Sequence, residues 1–385
     1  MRIKQQVITF IFLAFIFGFA IVGLVMKDRE FSDMENRTLA QSPEVSTENI
    51  LNGDFQSQLE SYMSDQLPLR DKLYSMKVDI ERLMLRSYQN GVYFADDGYL
   101  IQEYKESPQT LRNVQYVNDF AKKVDVPMTF MLVPTATAVH SDKLPAGCLN
   151  DDQMETVKKV QSQLDEKIDF ICPYEQLKSA FNGVENDDVS PVFYRTDHHW
   201  TAWGAENGFY ALMKELGKEY DSKIIGNLDY HTINAEFYGT LYSKAPSAVQ
   251  KADRFMAPTH NGGVYSVEFA KEQEDPHTLV GMYDLTKLET KDKYATLFGG
   301  NYSRFTIHSD VGNDEHILVI KDSYANAMLP YLATVYSTID VVDMRYYHME
   351  EKTVSELVKS EGISQVILLY NVDFFNSDNN FLWLD

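Results

Sequence analysis

HILVIKDSYANAM, residues 316–328, runs from an apolar core of four residues into a lysine, an acid and a serine, and then into a helix-forming tail. A short apolar run bounded by polar residues reads as a buried strand, here HILVIK (316–321), and SYANAMLPYLA after it reads as a helix. The rhythm continues with TIDVVDM (338–344) as a strand, EEKTVSELVKS as a helix and QVILLY (365–370) as a further strand. Upstream, helices are expected near 109–123 and 151–166, alternating with strands VPMTFMLV (126–133) and IDFIC (168–172). Such alternation predicts an α/β fold, a mainly parallel sheet flanked by helices. The interval 218–300, rich in Tyr, Gly and Asn, breaks the rhythm and is expected to be a loop-rich or β-rich insertion.

In open α/β sheets functional groups gather beyond the carboxyl ends of strands. Ser323 and Asn371 fall at two such ends. At a strand-to-helix turn the first helical N–H groups are unpaired and the dipole favours negative charge, so a serine nucleophile there has an oxyanion site beside it. A serine at that position equally serves as a plain helix cap, and both readings stand. Pro330, inside the helix after Ser323, is expected to kink it.

A second stretch bears on the choice. In YRTDHHWTAWGA (194–205) residues i and i+2 of an extended loop share a face, which pairs Asp197 with His199 and turns His198 elsewhere. Thr201 caps a helix whose apolar side carries Ala205, Phe209, Leu212 and Leu216. An aspartate accepting from one ring nitrogen fixes the tautomer of His199 and leaves the other nitrogen to act as a base toward a hydroxyl, with Ser323 the candidate. Asp197, His198 and His199 also carry metal-ligand atoms, but a catalytic metal needs about three convergent ligands, and no HxxxH, HExxH or clustered DxD pattern adds to them. No metal and no cofactor are expected. His198 and Trp200 are read as packing residues around the pair, and Asn301, Tyr370 and Arg345 as weaker candidates to line the site with Asn371.

The chain has 385 residues, 44% of them hydrophobic, enough for a sizeable core. Its formal charge of −22 argues against nucleic acid as a partner, because such binders rely on basic surfaces. Residues 7–26 form an apolar run long enough to span about 30 Å of hydrocarbon. It is too long for the apolar core of a cleaved signal, and Arg2 and Lys4 before it predict a cytoplasmic N-terminus with the remainder outside. The expected organisation is a membrane anchor (1–27), a stalk and helical lead-in (28–90) and a catalytic domain (91–385). Cys148 and Cys172 are the two cysteines, too few to establish a disulfide framework, and whether they pair is open.

The motifs together resemble the DHHW family and the related alginate O-acetylation proteins of the SGNH hydrolase-like superfamily. The blocks are ENRTLA (35–40), DQLPLR (65–70), GYLI (98–101), VPTATAVHSDKLP (133–145), YRTDHHWT (194–201), EFYGTLYS (236–243), FGGNYS (298–303) and KDSYANAM (321–328). The resemblance implies an SGNH-like fold with permuted motif order, Asp and His preceding the serine. It also implies Asp197 as orienter, His199 as base and Ser323 as nucleophile, in a single-pass, outward-facing O-acyl or O-acetyl transferase acting on a cell-envelope or secreted polysaccharide. A multi-span membrane acyltransferase as acyl donor partner is implied in the same way. The chain departs from the common block at Lys321, where a glycine is usual. Two alternatives remain at this level: a carbohydrate esterase using the same triad, and a non-catalytic glycan-binding or scaffold subunit of an export complex.

Overall fold

The computed structural model of the chain describes residues 2–32, 34–35, 37–181, 191–220, 229–259, 263–269, 279, 281–348 and 350–384. The chain divides into two compact units, Met1–Arg86 with Ser243–Gln250, and Ser87–Tyr242 with Lys251–Asp385.

The first unit begins with helix α1 (Arg2–Val25). Its window Gln6–Gly23 has a mean hydropathy of 2.4 and none of it is buried, so by length and composition it can cross a membrane. After a short helix at Thr47–Leu51 come two longer ones, α2 (Asp54–Asp65) and α3 (Arg70–Leu83), where the sequence reads as helix-like from about Phe55 to Met84. The break falls at Gln66–Leu69, where Pro68 lacks the N–H a continuing helix needs and Leu69 turns left-handed at φ 58°. Two of the motif blocks meet here. Arg37 grips Asp65 with two nitrogens at 2.9 and 2.6 Å, the Ala40 amide donates to the same carboxylate at 2.9 Å, and Arg70 donates to Glu35 at 2.6 Å. The Arg37 hydrogen bond holds the Asp65 carboxyl down at about 2.

The second unit is built on a seven-stranded sheet. Its strands in chain order are β1 (Met128–Val133), β2 (Ile168–Ile171), β3 (Tyr265–Phe269), β4 (Arg304–Ser309), β5 (His316–Lys321), β6 (Thr338–Asp343) and β7 (Gln365–Asn371). They lie in the order β3-β4-β6-β5-β7-β1-β2. The five strands from β6 to β2 are parallel, and β4 and β3 add to one edge antiparallel. Side chains alternate across β5, as the two-residue period of a strand requires. Ile317 and Val319 join a core with Phe209 and Leu212 of α6 (Ala202–Glu215) and with Met328 and Leu332 of α7 (Ala325–Leu332). Leu318 and Ile320 join the opposite core, with Val117 of α4 (Gln109–Ala121), Val160 of α5 (Gln153–Gln163) and Leu357 of α8 (Val354–Ser360). Both faces are therefore covered, which is why the central strands are almost uniformly apolar. Pro330 is the sixth residue of α7, two residues from its end, so it falls where the helix is already closing.

The interval 218–300 is less separate than its sequence implies. Asp229–Phe237 pairs antiparallel with Asp253–Thr259, in keeping with β-rich character, but Tyr265–Phe269 is strand β3 of the main sheet. Residues 221–228, 260–262, 270–278 and 280 lie outside the described residues. Strand β4 was not legible, because RFTIHS is short and only its alternate residues are buried. Cys148 and Cys172 are both free thiols.

Helix α6 carries the site loop at its start, and a glycine sets its approach. Thr201 caps it, its hydroxyl accepting from the Gly204 amide at 3.2 Å, while the Thr201 amide donates to the Val192 carbonyl at 2.9 Å. A Cβ at Gly204 would lie 2.2 Å from that carbonyl oxygen and 2.9 Å from Trp200 Cβ. Alanine in place of a helical glycine ordinarily gains about 1 kcal/mol, whereas overpacking against fixed backbone costs about 1–3 kcal/mol. Gly204→Ala should therefore lower the urea midpoint of unfolding, and a raised midpoint would show that the helix start has room to spare.

Candidate active site

The loop before α6 is folded back on itself. Phe193 and Trp200 form an antiparallel bridge, the Tyr194 amide donates to the His199 carbonyl at 3.3 Å, and residues 195–198 project from the closure. Asp253, 3% exposed, braces the loop by accepting from the Arg195 amide (2.9 Å), the Thr196 amide (2.8 Å) and the Thr196 hydroxyl (2.6 Å). Burial pushes this carboxyl up to about 6.

Asp197, 2% exposed, accepts four hydrogen bonds. The His199 amide and His199 Nδ1 donate to its Oδ1 at 3.0 and 2.6 Å, and the Thr240 amide and hydroxyl donate to its Oδ2 at 2.7 and 3.0 Å. Burial alone would raise this carboxyl. The neighbouring His198 and His199, with the bonds from His199 and Thr240, outweigh it and hold Asp197 well below the usual carboxylate range. The packing is close enough that a Cβ at Gly239 would sit 2.2 Å from the Asp197 carboxylate, so this position needs glycine.

Hydrogen positions follow from these partners. With Nδ1–H given to Asp197, His199 keeps a lone pair on Nε2, which lies 2.7 Å from Ser323 Oγ. The single Thr240 hydroxyl proton goes to Asp197, so its oxygen accepts from His198 Nδ1 at 2.6 Å. His198 packs its ring 3.9 Å from that of His199, and Trp200 is fully buried, donating to the Tyr324 carbonyl at 2.9 Å. Both act as supports around the pair, as their places in the motif suggest.

Ser323 is half-buried between residues that are fully buried. It stands just beyond β5, and its hydroxyl caps no helix. The turn is held by Asp322, which accepts from the Tyr324 amide (2.8 Å), the Asn371 amide (2.7 Å) and Asn371 Nδ2 (2.6 Å). Burial pushes the Asp322 carboxyl up to about 6. The Tyr324 hydroxyl donates to the His198 carbonyl, tying the serine turn to the histidine loop.

The remaining sequence candidates divide. Asn371 is at the strand end but gives one amide proton to Asp322, and its Oδ1 accepts from the Phe374 amide at 2.9 Å. Asn301 Oδ1 accepts from Lys321 Nζ and Asn326 Nδ2, both at 3.2 Å. Arg345 is paired with Asp343, Nε to Oδ1 at 2.8 Å, and lies over the Phe374 ring. Tyr370 is different: its ring is fully buried in the opposite core against Phe375 and Phe381. Odd and even residues of β7 face opposite ways, so Asn371 reaches the site and Tyr370 does not.

Four contributors were not singled out from sequence. Tyr294 stacks flat on His199, ring centroids 3.7 Å apart at 7°, and donates to the Ser323 carbonyl at 3.1 Å. Gly239 and Thr240 fall inside the EFYGTLYS block, which was the available signal, whereas nothing around Tyr294 or Asp253 marked either residue. Asp197, His198 and His199 do bring ligand atoms within 4.8 Å of one another. Both Asp197 oxygens and His199 Nε2 are already engaged in the hydrogen bonds above, a donor set matched to proton transfer rather than to a cation.

The model of the DHHW protein family matches residues 87–342. Over 199 residues the chain is 26% identical to the alginate biosynthesis protein AlgX of Azotobacter vinelandii, covering 47% of this chain and 39% of that relative. Among solved structures, a DHHW family protein from Eubacterium siraeum superposes with a TM-score of 0.61 at 22% identity, over 76% of this chain and 94% of that one. Bacillus cereus PatB1 gives a TM-score of 0.61 at 21% identity, over 75% and 98%. These structural likenesses speak to the fold, a mixed α/β domain on a mostly parallel sheet. Because the family match covers well over half of the chain and includes both the DHHW motif and the serine turn, the chain belongs to the DHHW protein family.

Proposed function

We propose that this protein is a serine-dependent O-acyltransferase, with acetyl the expected group, acting on a cell-envelope or secreted polysaccharide. The observation that carries the reading is the unbroken chain Asp197 Oδ1, His199 Nδ1, His199 Nε2, Ser323 Oγ, with links of 2.6 and 2.7 Å. Two further supports are the resemblance to alginate O-acetylation proteins and the match to an alginate biosynthesis protein. The permuted SGNH order, with the Asp–His block ahead of the serine, is part of the same proposal, as is the division into anchor, stalk and catalytic domain.

In the first half-reaction Ser323 Oγ attacks the donor carbonyl and its proton passes to His199 Nε2, while Asp197 steadies the imidazolium. The leaving group departs with that proton, and the acyl group remains on Ser323. In the second half a sugar hydroxyl surrenders its proton to His199, attacks the acyl-serine, and Ser323 recovers its hydroxyl. The tetrahedral oxyanion needs fixed donors. Asn301, whose amide oxygen is turned inward by Lys321 and Asn326, fits that role better than Asn371, which is drawn toward Asp322. Arg345 remains a candidate for substrate contact at the rim. Water in place of the sugar would make the same machinery an esterase; the resemblance favours transfer. Helix α1 is read as an anchor with the N-terminus cytoplasmic and the remainder outside, and a multi-span membrane acyltransferase as the source of the acyl group.

Incubating the protein with a chromogenic acetyl ester, with and without oligosaccharide acceptors, tests this directly. An acetyl adduct should appear on Ser323 by mass spectrometry, and acceptor should raise turnover and become acetylated. Ser323→Ala should abolish adduct and turnover while leaving the fold intact; unchanged polysaccharide acylation in cells carrying it would make the protein a scaffold. Asp197→Asn frees the wrong tautomer of His199 and should lower kcat by on the order of 10³–10⁴. Asn301→Ala should lower kcat about 10²-fold with little change in KM, and an effect confined to KM would move Asn301 from oxyanion to substrate binding.

A further inference from the structure

The polar exit of α1 is bolted to the turn between α2 and α3. Arg29 pairs with Asp71 at 2.8 Å, the Arg29 amide donates to Gln66 Oε1 at 2.9 Å, and Gln66 Nε2 returns a bond to the Arg29 carbonyl at 2.9 Å. The Tyr62 hydroxyl donates to Asp28 at 2.9 Å. These bonds set the height of the Gln66–Leu69 turn along α1. Pro68 comes up against Gly23, where a Cβ would stand 3.7 Å from Pro68 Cδ, and Gly23 is the last residue of the apolar window. The turn therefore lies level with the end of the segment that is long enough to span hydrocarbon.

At that level the turn exposes Leu67 (41%) and Leu69 (60%). Leu69 is held outward from a left-handed backbone, φ 58°, a conformation that bulky side chains rarely adopt. A strained backbone that turns a leucine into water gains nothing from the fold itself, whereas the same side chain in lipid would be stabilised. Beside it is a cavity of about 270 Å³ with Gly23, Met26 and Leu67 among its apolar lining and Lys27, Arg70 and Lys72 among its charged residues. Arg29, Asp28 and Asp71 also line it, so cations outnumber carboxylates there; Arg29 and Arg70 are already paired with Asp71 and Glu35, and the exposed leucines supply an apolar attraction beside the remaining lysines.

We propose that the Gln66–Leu69 turn is a second membrane contact, with Leu67, Pro68 and Leu69 seated in the interfacial layer of a phospholipid bilayer beside α1. The inference rests on the reading of α1 as a membrane anchor. Two points of attachment, the span and the turn, would fix the first unit against the bilayer where a lone helix would let it swing.

The test uses the full chain in phosphatidylcholine vesicles, with Cys148→Ser and Cys172→Ser as background. An environment-sensitive fluorophore is attached through Leu69→Cys in one variant and Ile16→Cys in another, and lipids bearing nitroxides at shallow or deep positions are added. The Leu69 probe should lose severalfold intensity to the shallow nitroxide and less to the deep one, and the Ile16 probe the reverse. If the Ile16 probe is quenched and the Leu69 probe is not, the turn does not touch lipid and the inference falls while the anchor stands. If neither is quenched, the anchor reading fails and takes the inference with it. Self-quenching of the Leu69 probe that grows with the protein-to-lipid ratio, without nitroxide, would assign the turn to a second copy of the chain and overturn the lipid contact.

Discussion

A buried, ionised carboxylate must be surrounded by donors, and Asp197 imposes that demand on the candidate site. At 2% exposure it is satisfied by two groups of His199 and two of Thr240, residues more than forty positions apart from one another. Meeting the demand draws the Gly239–Thr240 turn against the DHHW loop and requires Gly239 to lack a side chain. It also leaves His199 with one orientation and one tautomer. The imidazole is thus aimed at Ser323 as a consequence of how a charge is kept out of water.

The serine turn is organised by the same logic on the other side. Asp322 collects two donors from Asn371 and one from Tyr324, so the ends of β5 and β7 are stitched together directly behind the hydroxyl. Trp200 and Tyr324 then cross-link this turn to the histidine loop through backbone carbonyls. The lysine at 321, unusual against the common block, has a structural account. Its ammonium is fully buried, which pulls its pKa down, and it is compensated by Asp343 at 3.2 Å while orienting the amide of Asn301. A glycine there would leave Asp343 with Arg345 alone and Asn301 without its lysine.

Much of the second unit was legible because its signals are local. The apolar runs at 128–133, 316–321, 338–343 and 365–371 are strands, and the Thr201 cap begins a helix as its hydroxyl predicts. Legibility failed where burial is one-sided or irregular. Strand β4 buries only Phe305 and Ile307, β3 is hidden in an aromatic and glycine-rich interval, and the helix-like stretch from about 55 to 84 is two helices, because Pro68 and a left-handed Leu69 end the first. Tyr370 and Asn371 were named together as neighbours, yet strand geometry sends them to opposite faces.

By itself the sequence determined the alternation of strands and helices, the apolar helix at the start of the chain, and the residue types present at strand ends, since each depends on neighbours within a few positions. Tertiary structure alone decided that His199 Nε2 meets Ser323 Oγ at 2.7 Å across 124 positions, that Tyr294 lies flat on the imidazole, and that Thr240 and Asp253 hold the loop. Those contacts join segments whose approach is set by packing on the shared sheet. No local pattern encodes the distance between two loops that meet only once the core beneath them has closed.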